Sequence, residues 1–356
     1  MAVPDPAPRP RLAFVGPLQG AVHPGVVVTQ GVRLSRHFRE AGYPVVAVST
    51  RLNRYARLLD VAGTILHRGG RLDIVVVHVY GGPSFVVEDV ASALARARGA
   101  RVVMLLHGGA LPEFFARFPG WGRRVLRRAG AIVAPSPFLA RAAASAGFAA
   151  RVIPNVIDVG ALPYRERGPL RPRLFWMRTY DPDYNPLMAI EVLRQVREVH
   201  PDAALVMRGQ EKGMEAEVAA RARALGLAAA LDLGGFADAA AKAAAGDRAD
   251  IFINTSHVDN MPVAVVEAAA MGMPVVSTAV GGVPDLLQDG TTGLLVPDGD
   301  AGAMARAVLR LVADTDLARR LSRAGRAVAL RSSWPAVQAE WEDLFRRLLA
   351  DPRAGR

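Results

Sequence analysis

The stretch NTSHVDNMPVAVVEAAAMGMPVVST, Asn254 to Thr278, decides the fold. It closes an apolar run (Ile251 to Asn254), crosses a polar loop and enters an Ala- and Val-rich helical segment through Glu267. After Gly272 and Pro274 it resumes as a strand, Val275 to Ser277. Strand, loop, helix and strand in that order make one βαβ unit of a parallel sheet. Asp259 and Asn260 are helix-capping types, and a helix that starts beside them aims free N–H groups past the strand ends, which makes an anion site. Asp259 and Glu267, eight residues apart, flank that helix start. Two carboxylates around an anion site suit a hydroxyl-rich ligand with a phosphate between them. The same letters also describe an N-cap Asp and a surface Glu that bind nothing.

Outward from this unit the same rhythm recurs. Upstream lie strands at Leu174 to Met177 and Ala204 to Met207, with helices from about Pro186 to Val199 and Glu215 to Leu225. The first half repeats it with strands Leu12 to Val15, Val45 to Ser49, Ile74 to Val79, Val102 to Leu106 and Ala131 to Ala134. Helices are expected near Thr29 to Ala41 and Val86 to Arg98. The fold class is therefore α/β, with two Rossmann-like doubly wound domains whose ligands sit at the carboxyl ends of the strands, in a shared cleft. The expected division is a disordered tail over 1–11, a first Rossmann-like domain over 12–165 and a second Rossmann-like domain over 166–335. A final helix over 336–356, apolar on one stripe through Trp341, Leu344, Phe345 and Leu348, is expected to return to the first domain. The Pro-rich segment Asp158 to Arg173 looks like a linker.

Composition narrows the chemistry. Half of the 356 residues are apolar, so each domain can bury a core. There is no cysteine, which removes disulfides, thiolate zinc sites and cysteine nucleophiles together, and fits a reducing compartment. The longest apolar candidate, Met261 to Val280, is interrupted by Glu267, Pro262 and Pro274 and does not span a bilayer. The N-terminus MAVPDPAPRPR lacks the apolar segment of a signal peptide, so export is not indicated. The expected location is cytoplasmic. The formal charge of +11 is one-sided: through Arg165 there are 21 arginines against 8 acids, and beyond it 23 Lys and Arg against 25 acids. An excess confined to one half points to an anionic partner for that half.

The Asn254 block resembles the E-x7-E region of GT-B glycosyltransferases, in the large retaining family (glycosyltransferase family 4, group 1) that includes sucrose and glycogen-type synthases and many bacterial glycan and lipid transferases. VGGVPDLLQDGTTGLLVPDGD (Val280 to Asp300), IPNVID (Ile153 to Asp158) and APSPFLA (Ala134 to Ala140) continue the likeness, which spans about Leu12 to Leu349. The resemblance implies that Glu267 holds the donor ribose and that Asp259, where the family norm is Glu, faces the donor sugar. Asn260, Met261 and Pro262 stand where a Gly-rich turn is usual; the N–H groups of Met261 and Val263 can approach the sugar or phosphate, whereas Pro262 has none to donate. Arg178 matches the arginine of a diphosphate-binding Arg and Lys pair, stabilising the leaving diphosphate. The partner lysine is missing, and Lys212 in RGQEKG, the nearby lysine by strand order, is either its substitute or a solvated loop lysine. His107, in VVMLLHGG, matches a cleft-facing histidine that contacts the donor sugar or hydrogen-bonds near the reaction centre. The implied catalytic set is thus His107, Arg178, Asp259 and Glu267.

The loop through Gly16, Gly20 and Gly25 is expected to bring backbone close to the acceptor and phosphates, although it lacks the G-x-G-x-x-G of dinucleotide folds. No acidic or His cluster has metal-ligand spacing, and Asp181 to Asp183 reads as a turn, so no metal is expected. No cofactor is implied, since the nucleotide sugar is a co-substrate. Pro112 to Gly130 joins Phe114, Phe115 and Trp121 to Arg123, Arg124, Arg127 and Arg128, the composition of a peripheral anchor on an anionic inner membrane face, or of an inward-packed helix with a solvated basic side. The leading expectation is transfer of a sugar from a nucleotide-sugar donor to a hydroxyl acceptor, glycan, lipid-linked or small, with retention at the anomeric carbon. The alternatives are a sugar-nucleotide epimerase or hydrolase on the same fold, or a polyanion-binding non-enzyme. Nucleic acid is disfavoured, because no recognition motif for it is present.

Overall fold

The computed structural model describes residues 9–23 and 25–351; of the tail expected over 1–11, residues 1–8 lie outside the described residues. Two compact units result. One contains the described residues before Gly25, Val28–Val156 and the segment from Gln338. The other contains Gly25–Val27 and Ile157–Val337.

The first unit is built on a parallel sheet of β1 (Leu12–Val15), β2 (Val45–Val48), β3 (Ile74–Val79), β4 (Arg101–Leu106), β5 (Ala131–Ala134) and β6 (Arg151–Val152), in the order β2-β1-β3-β4-β5-β6. Every residue of β3 is buried, which is why its sequence IVVVHV shows no in-out alternation. A 15-residue helix, Arg54–Arg68, precedes β3; it is absent from the sequence expectations because its apolar residues lie on two faces, Val61 and Ile65 inward, Tyr55, Leu59 and Leu66 outward. The helix Trp334–Ala350 joins this unit through Phe345, whose ring lies 5.5 Å from Phe38, and through Arg151, which pairs with Asp343 at 2.7 Å and with Glu340.

The second unit repeats the plan with β7 (Arg173–Met177), β8 (Ala204–Arg208), β9 (Leu231–Gly234), β10 (Ile251–Asn254), β11 (Val275–Thr278) and β12 (Leu294–Val296), all parallel, ordered β12-β11-β10-β7-β8-β9. The helix Val263–Ala270 is buried from Ala264 onward, so it carries small apolar residues all round instead of one apolar stripe. It packs beside the helix Thr315–Leu330, where Gly325 meets Ala269.

The segment read as a linker is an anchor. Arg165, Arg167 and Arg171 converge on the carboxylate of Asp250, at 2.9, 3.1 and 2.8 Å, immediately before β10. Three of its charges, typical of a solvated connector in sequence, are held by one buried acid, and Glu166 pairs with Arg323 at 2.7 Å.

In an open parallel sheet the strand order reverses at one point, and ligands bind outside the carboxyl ends there. The reversal falls between β1 and β3 in the first unit and between β7 and β10 in the second. Gly16 follows β1 and His78 lies in β3; Arg178 follows β7 and the Asn254 loop follows β10.

Candidate active site

In the second unit the polar loop after β10 is held by its own buried side chains. Asn254 Nδ2 donates to Ser277 Oγ at 2.9 Å, Ser256 Oγ to Asn254 Oδ1 at 3.0 Å and Thr278 Oγ1 to the Ser256 carbonyl at 2.6 Å. Trp176 Nε1 donates to Thr255 Oγ1 at 2.9 Å, and that hydroxyl donates to the Tyr184 carbonyl at 2.8 Å, so the loops after β7 and β10 are tied together.

Onto this frame Arg178 projects its guanidinium. Nη2 lies 2.7 Å from Asp259 Oδ2, and the guanidinium carbon sits 4.1 Å from the centroid of the Tyr184 ring, a cation–π contact. Burial pushes the Asp259 carboxyl above its ordinary value, opposed by the Arg178 charge and the Asn260 N–H. The Arg178 Nε is buried without a partner among the described residues. This cation is desolvated, fixed and only partly neutralised, the state in which it acts most strongly on a phosphate.

Asp259 does not cap the helix. The helix begins at Val263 with Pro262 as its N-cap residue and no side-chain cap bond, because Pro262, already extended at ψ 108, sets the entry three residues beyond Asp259. The Asp259 carboxylate turns to Arg178 instead. Asn260 is half-buried and Met261 buried, and Val263 opens the helix. Two glycines make room for this loop: a Cβ on Gly281 would stand 1.9 Å from the Asp259 carbonyl oxygen, and one on Gly282 1.9 Å from that of Asn260.

Glu267 is buried, and Lys242 Nζ donates to its Oε2 at 2.8 Å. The surface-Glu reading of that position therefore fails. Lys242 comes from the helix Ala239–Arg248 and did not figure in the sequence expectations, although it is one of only two lysines and stands alone in an alanine run. The other, Lys212, is exposed in the loop after β8, next to the Tyr180 to Glu211 bridge. Asp181 Oδ1 accepts from the Asp183 N–H, closing the turn that the D-x-D spelling disguises.

In the first unit His107 follows β4 and is buried. Its Nε2 lies 2.8 Å from His78 Nδ1, and the Tyr80 ring stacks on it at 4.9 Å with planes 17° apart. Burial drives both imidazoles towards neutrality, His78 down to about 3 and His107 well below its usual value. Glu88 is buried behind them: Oε1 accepts from the Tyr80 N–H at 2.8 Å, Oε2 has no partner among the described residues, and burial raises its pKa well above the ordinary carboxyl range. His78, Tyr80 and Glu88 were missed in sequence; a histidine inside the apolar strand IVVVHV was the available signal.

Gly16 serves His78, since a Cβ there would lie 2.8 Å from the His78 Cβ. Gly20 sits in the short turn Gln19–Ala21, and Gly25 is exposed at φ 78. The anchor expected at Pro112 to Gly130 is corrected. Phe114, Phe115 and Trp121 close around Phe85 at 4.7, 6.4 and 4.9 Å, while Trp121 Nε1, Arg124 and Arg128 all donate to Asp89. Aromatics that fill a core are not available to insert into lipid. Arg123, Arg127 and Phe118 remain exposed.

Two Rossmann-like units, the second carrying an arginine and an acidic loop at its switch point, make the two-domain α/β architecture of a glycosyltransferase. Family comparison agrees: residues 170–328 match glycosyl transferases group 1 and residues 18–161 match glycosyltransferase family 4. The chain belongs to this glycosyltransferase family. Among curated relatives, the phosphatidyl-myo-inositol mannosyltransferase of Mycobacterium leprae is 31% identical over 194 residues, 53% of this chain and 51% of that protein. The match thus spans about half of that relative's length. Among solved structures, sucrose-phosphate synthase from Thermosynechococcus elongatus superposes with a TM-score of 0.79 at 18% identity, covering 96% of this chain and all of that one. HepE from Anabaena in complex with UDP and glucose superposes with a TM-score of 0.75 at 18% identity, over 95% of this chain and all of that one. These structures share the two-domain α/β fold.

Proposed function

We propose that this protein transfers a sugar from a nucleoside-diphosphate sugar to a hydroxyl acceptor, with retention at the anomeric carbon. The observation that carries the reading is the desolvated Arg178 guanidinium at the carboxyl end of β7, held by Asp259 and Tyr184 at the switch point of the second sheet. As the glycosidic bond breaks, the leaving diphosphate gains negative charge, and a fixed guanidinium with the N–H groups at the start of Val263–Ala270 stabilises it without reorganising. Glu267 takes the ribose hydroxyls, Asp259 the sugar side, and Lys212 approaches the diphosphate from the loop beside Arg178. In the first unit His107 is assigned to the sugar. Retention rests on the family resemblance, and the departing phosphate oxygen takes the acceptor proton. The UDP and glucose bound to HepE favour a uridine nucleotide.

For the acceptor we infer a membrane-borne or anionic molecule met at an anionic lipid surface. No described helix is long and apolar enough to cross a membrane. The support lies in the helix Arg54–Arg68 and the loop before it, where Leu52, Tyr55, Leu59 and Leu66 are exposed and Arg51, Arg54, Arg68 and Arg71 are exposed around them. The test of the donor assignment is a thermal-shift panel of nucleotide sugars: one donor raises Tm by a few degrees, and a flat response to all of them overturns the reading.

A further inference from the structure

His78 and His107 stand on neighbouring parallel strands, β3 and the end of β4, with His78 in register with Leu105. The ring centroids are 5.0 Å apart and the planes differ by 7°, while the facing nitrogens are 2.8 Å apart. Nitrogens that close at that centroid separation, in nearly parallel planes, place the rings edge to edge. The contact is a single N–H···N hydrogen bond along which one proton lies. Both rings are neutral, so each carries one proton, and there are two ways to distribute them.

If His107 donates from Nε2, the His78 proton must sit on its own Nε2. That atom is buried without a partner, facing Gly31, where a Cβ would lie 3.0 Å away. A buried N–H with nothing to donate to is the costlier and rarer orphan. If His78 donates from Nδ1, its Nε2 is a bare acceptor, the lesser penalty, and the His107 proton moves to Nδ1. The ring of His78 is held in place on two sides, by Gly16 against its Cβ and Gly31 against its Nε2, and Tyr80 covers the face of His107.

We propose that His78 is a positioning residue that holds His107 as its Nδ1–H tautomer, so that His107 meets the reactants as a hydrogen-bond donor and not as a base. The donor form suits an oxygen that gains electron density, such as a sugar hydroxyl or the departing phosphate. That consequence rests on the transfer reading above, whereas the tautomer does not. The arrangement also gives Gly16 a role inside the protein, as the residue whose missing side chain admits the His78 ring.

Tautomers are read directly by long-range 1H–15N correlation on protein labelled with 15N-histidine, with His107 assigned from the signals lost in His107→Gln. The expected result is a proton on Nδ1 of His107 in the wild type and in His78→Asn, whose amide places a donor where Nδ1 stood, and its transfer to Nε2, wholly or in part, in His78→Phe. With the donor found by thermal shift, His78→Phe loses at least about tenfold in kcat with donor KM within about twofold, and His78→Asn restores most of it. An Nε2–H tautomer in the wild type overturns the proposal even if His78→Phe fails to fold, as does an unchanged tautomer in His78→Phe. Absence of turnover with every donor would sink the transfer reading and leave the tautomer result standing.

Discussion

Arg178 Nη2 and Asp259 Oδ2 are 2.7 Å apart although 81 residues separate them in the chain, and both side chains are nearly buried. The pair joins the ends of β7 and β10, the two strands between which the sheet reverses order. A carboxylate in this place orients the arginine and tempers its charge, while Nε stays buried without a partner among the described residues.

Removing the cation therefore has two separable consequences. Arg178→Ala is expected to lose turnover by at least about a hundredfold, the scale of one lost charge-stabilising donor. It also leaves Asp259 buried without its cation, at a cost of about 3 kcal/mol. Arg178→Ala with Asp259→Asn recovers most of the stability and none of the turnover; wild-type-like turnover in Arg178→Ala would refute the assigned role.

Lys242, on the helix Ala239–Arg248, and Glu267, on the helix Val263–Ala270, pair across the two helices at 2.8 Å. Lys242→Met is expected to cost about 1–3 kcal/mol, since a buried acceptor loses a charged donor. If Glu267 takes the ribose hydroxyls as proposed, UDP affinity measured by calorimetry should fall by about tenfold, or 1.4 kcal/mol, because that carboxylate is no longer held. Combining it with Glu267→Gln should cost less than the sum of the two single changes. Strict additivity would mean that the two side chains do not act together.

Glu88 gives a signed pH dependence. Its folded pKa is raised by burial, so the folded state holds a proton that the unfolded state releases above about 4.5. Stability from this group is present below that pH and is lost as pH rises towards the folded value, by up to about 1.4 kcal/mol per pH unit. Glu88→Gln keeps the acceptor for the Tyr80 N–H and cannot ionise. Its Tm relative to wild type should climb between pH 4.5 and 7, and a difference that stays constant with pH would contradict the buried protonated acid.

Gly282 has φ −94, which alanine tolerates, so Gly282→Ala tests space alone. Its Cβ would meet the Asn260 carbonyl at 1.9 Å. The loop must move, at a cost of about 1–3 kcal/mol, and the thermal shift with the donor should vanish. Gly235→Ala, which opens into free space, is the matched control and should leave both unchanged.

The basic, partly apolar face of Arg54–Arg68 is tested by sedimentation with vesicles. Binding to phosphatidylglycerol vesicles and not to phosphatidylcholine is expected, with each engaged arginine adding about 1 kcal/mol. Leu59→Glu, at a side chain that is 73% exposed, should abolish it without lowering Tm. Equal binding to both lipids, or to neither, would remove the membrane from the account.

Much of this molecule was legible in its letters. The strands Leu12–Val15, Ile74–Val79, Ala131–Ala134 and Ile251–Asn254 appear where the apolar runs stand, because a strand buried on both faces has no choice of composition. Arg178 and His107 stand at strand ends and Asp259 and Glu267 around a helix start, and it was the family resemblance that marked out the four together. What they touch was not so marked. The acid beside Arg178, the lysine on Glu267 and the histidine beside His107 come from 81, 25 and 29 residues away. Helix capping is a local contest, and it assigned Asp259 to its nearest helix; the ion pair across the switch point prevailed because a buried carboxylate gains more from a buried guanidinium than from a backbone N–H. The aromatics of Pro112 to Gly130 failed the same way, since composition does not say which side of a helix meets the core. The order of residues along the chain sets which segments become strands and helices, through periodicity and backbone preference acting over a few residues. Which polar groups share a proton or a charge is settled only when the sheet brings distant strand ends together and removes the water that would otherwise satisfy each of them alone.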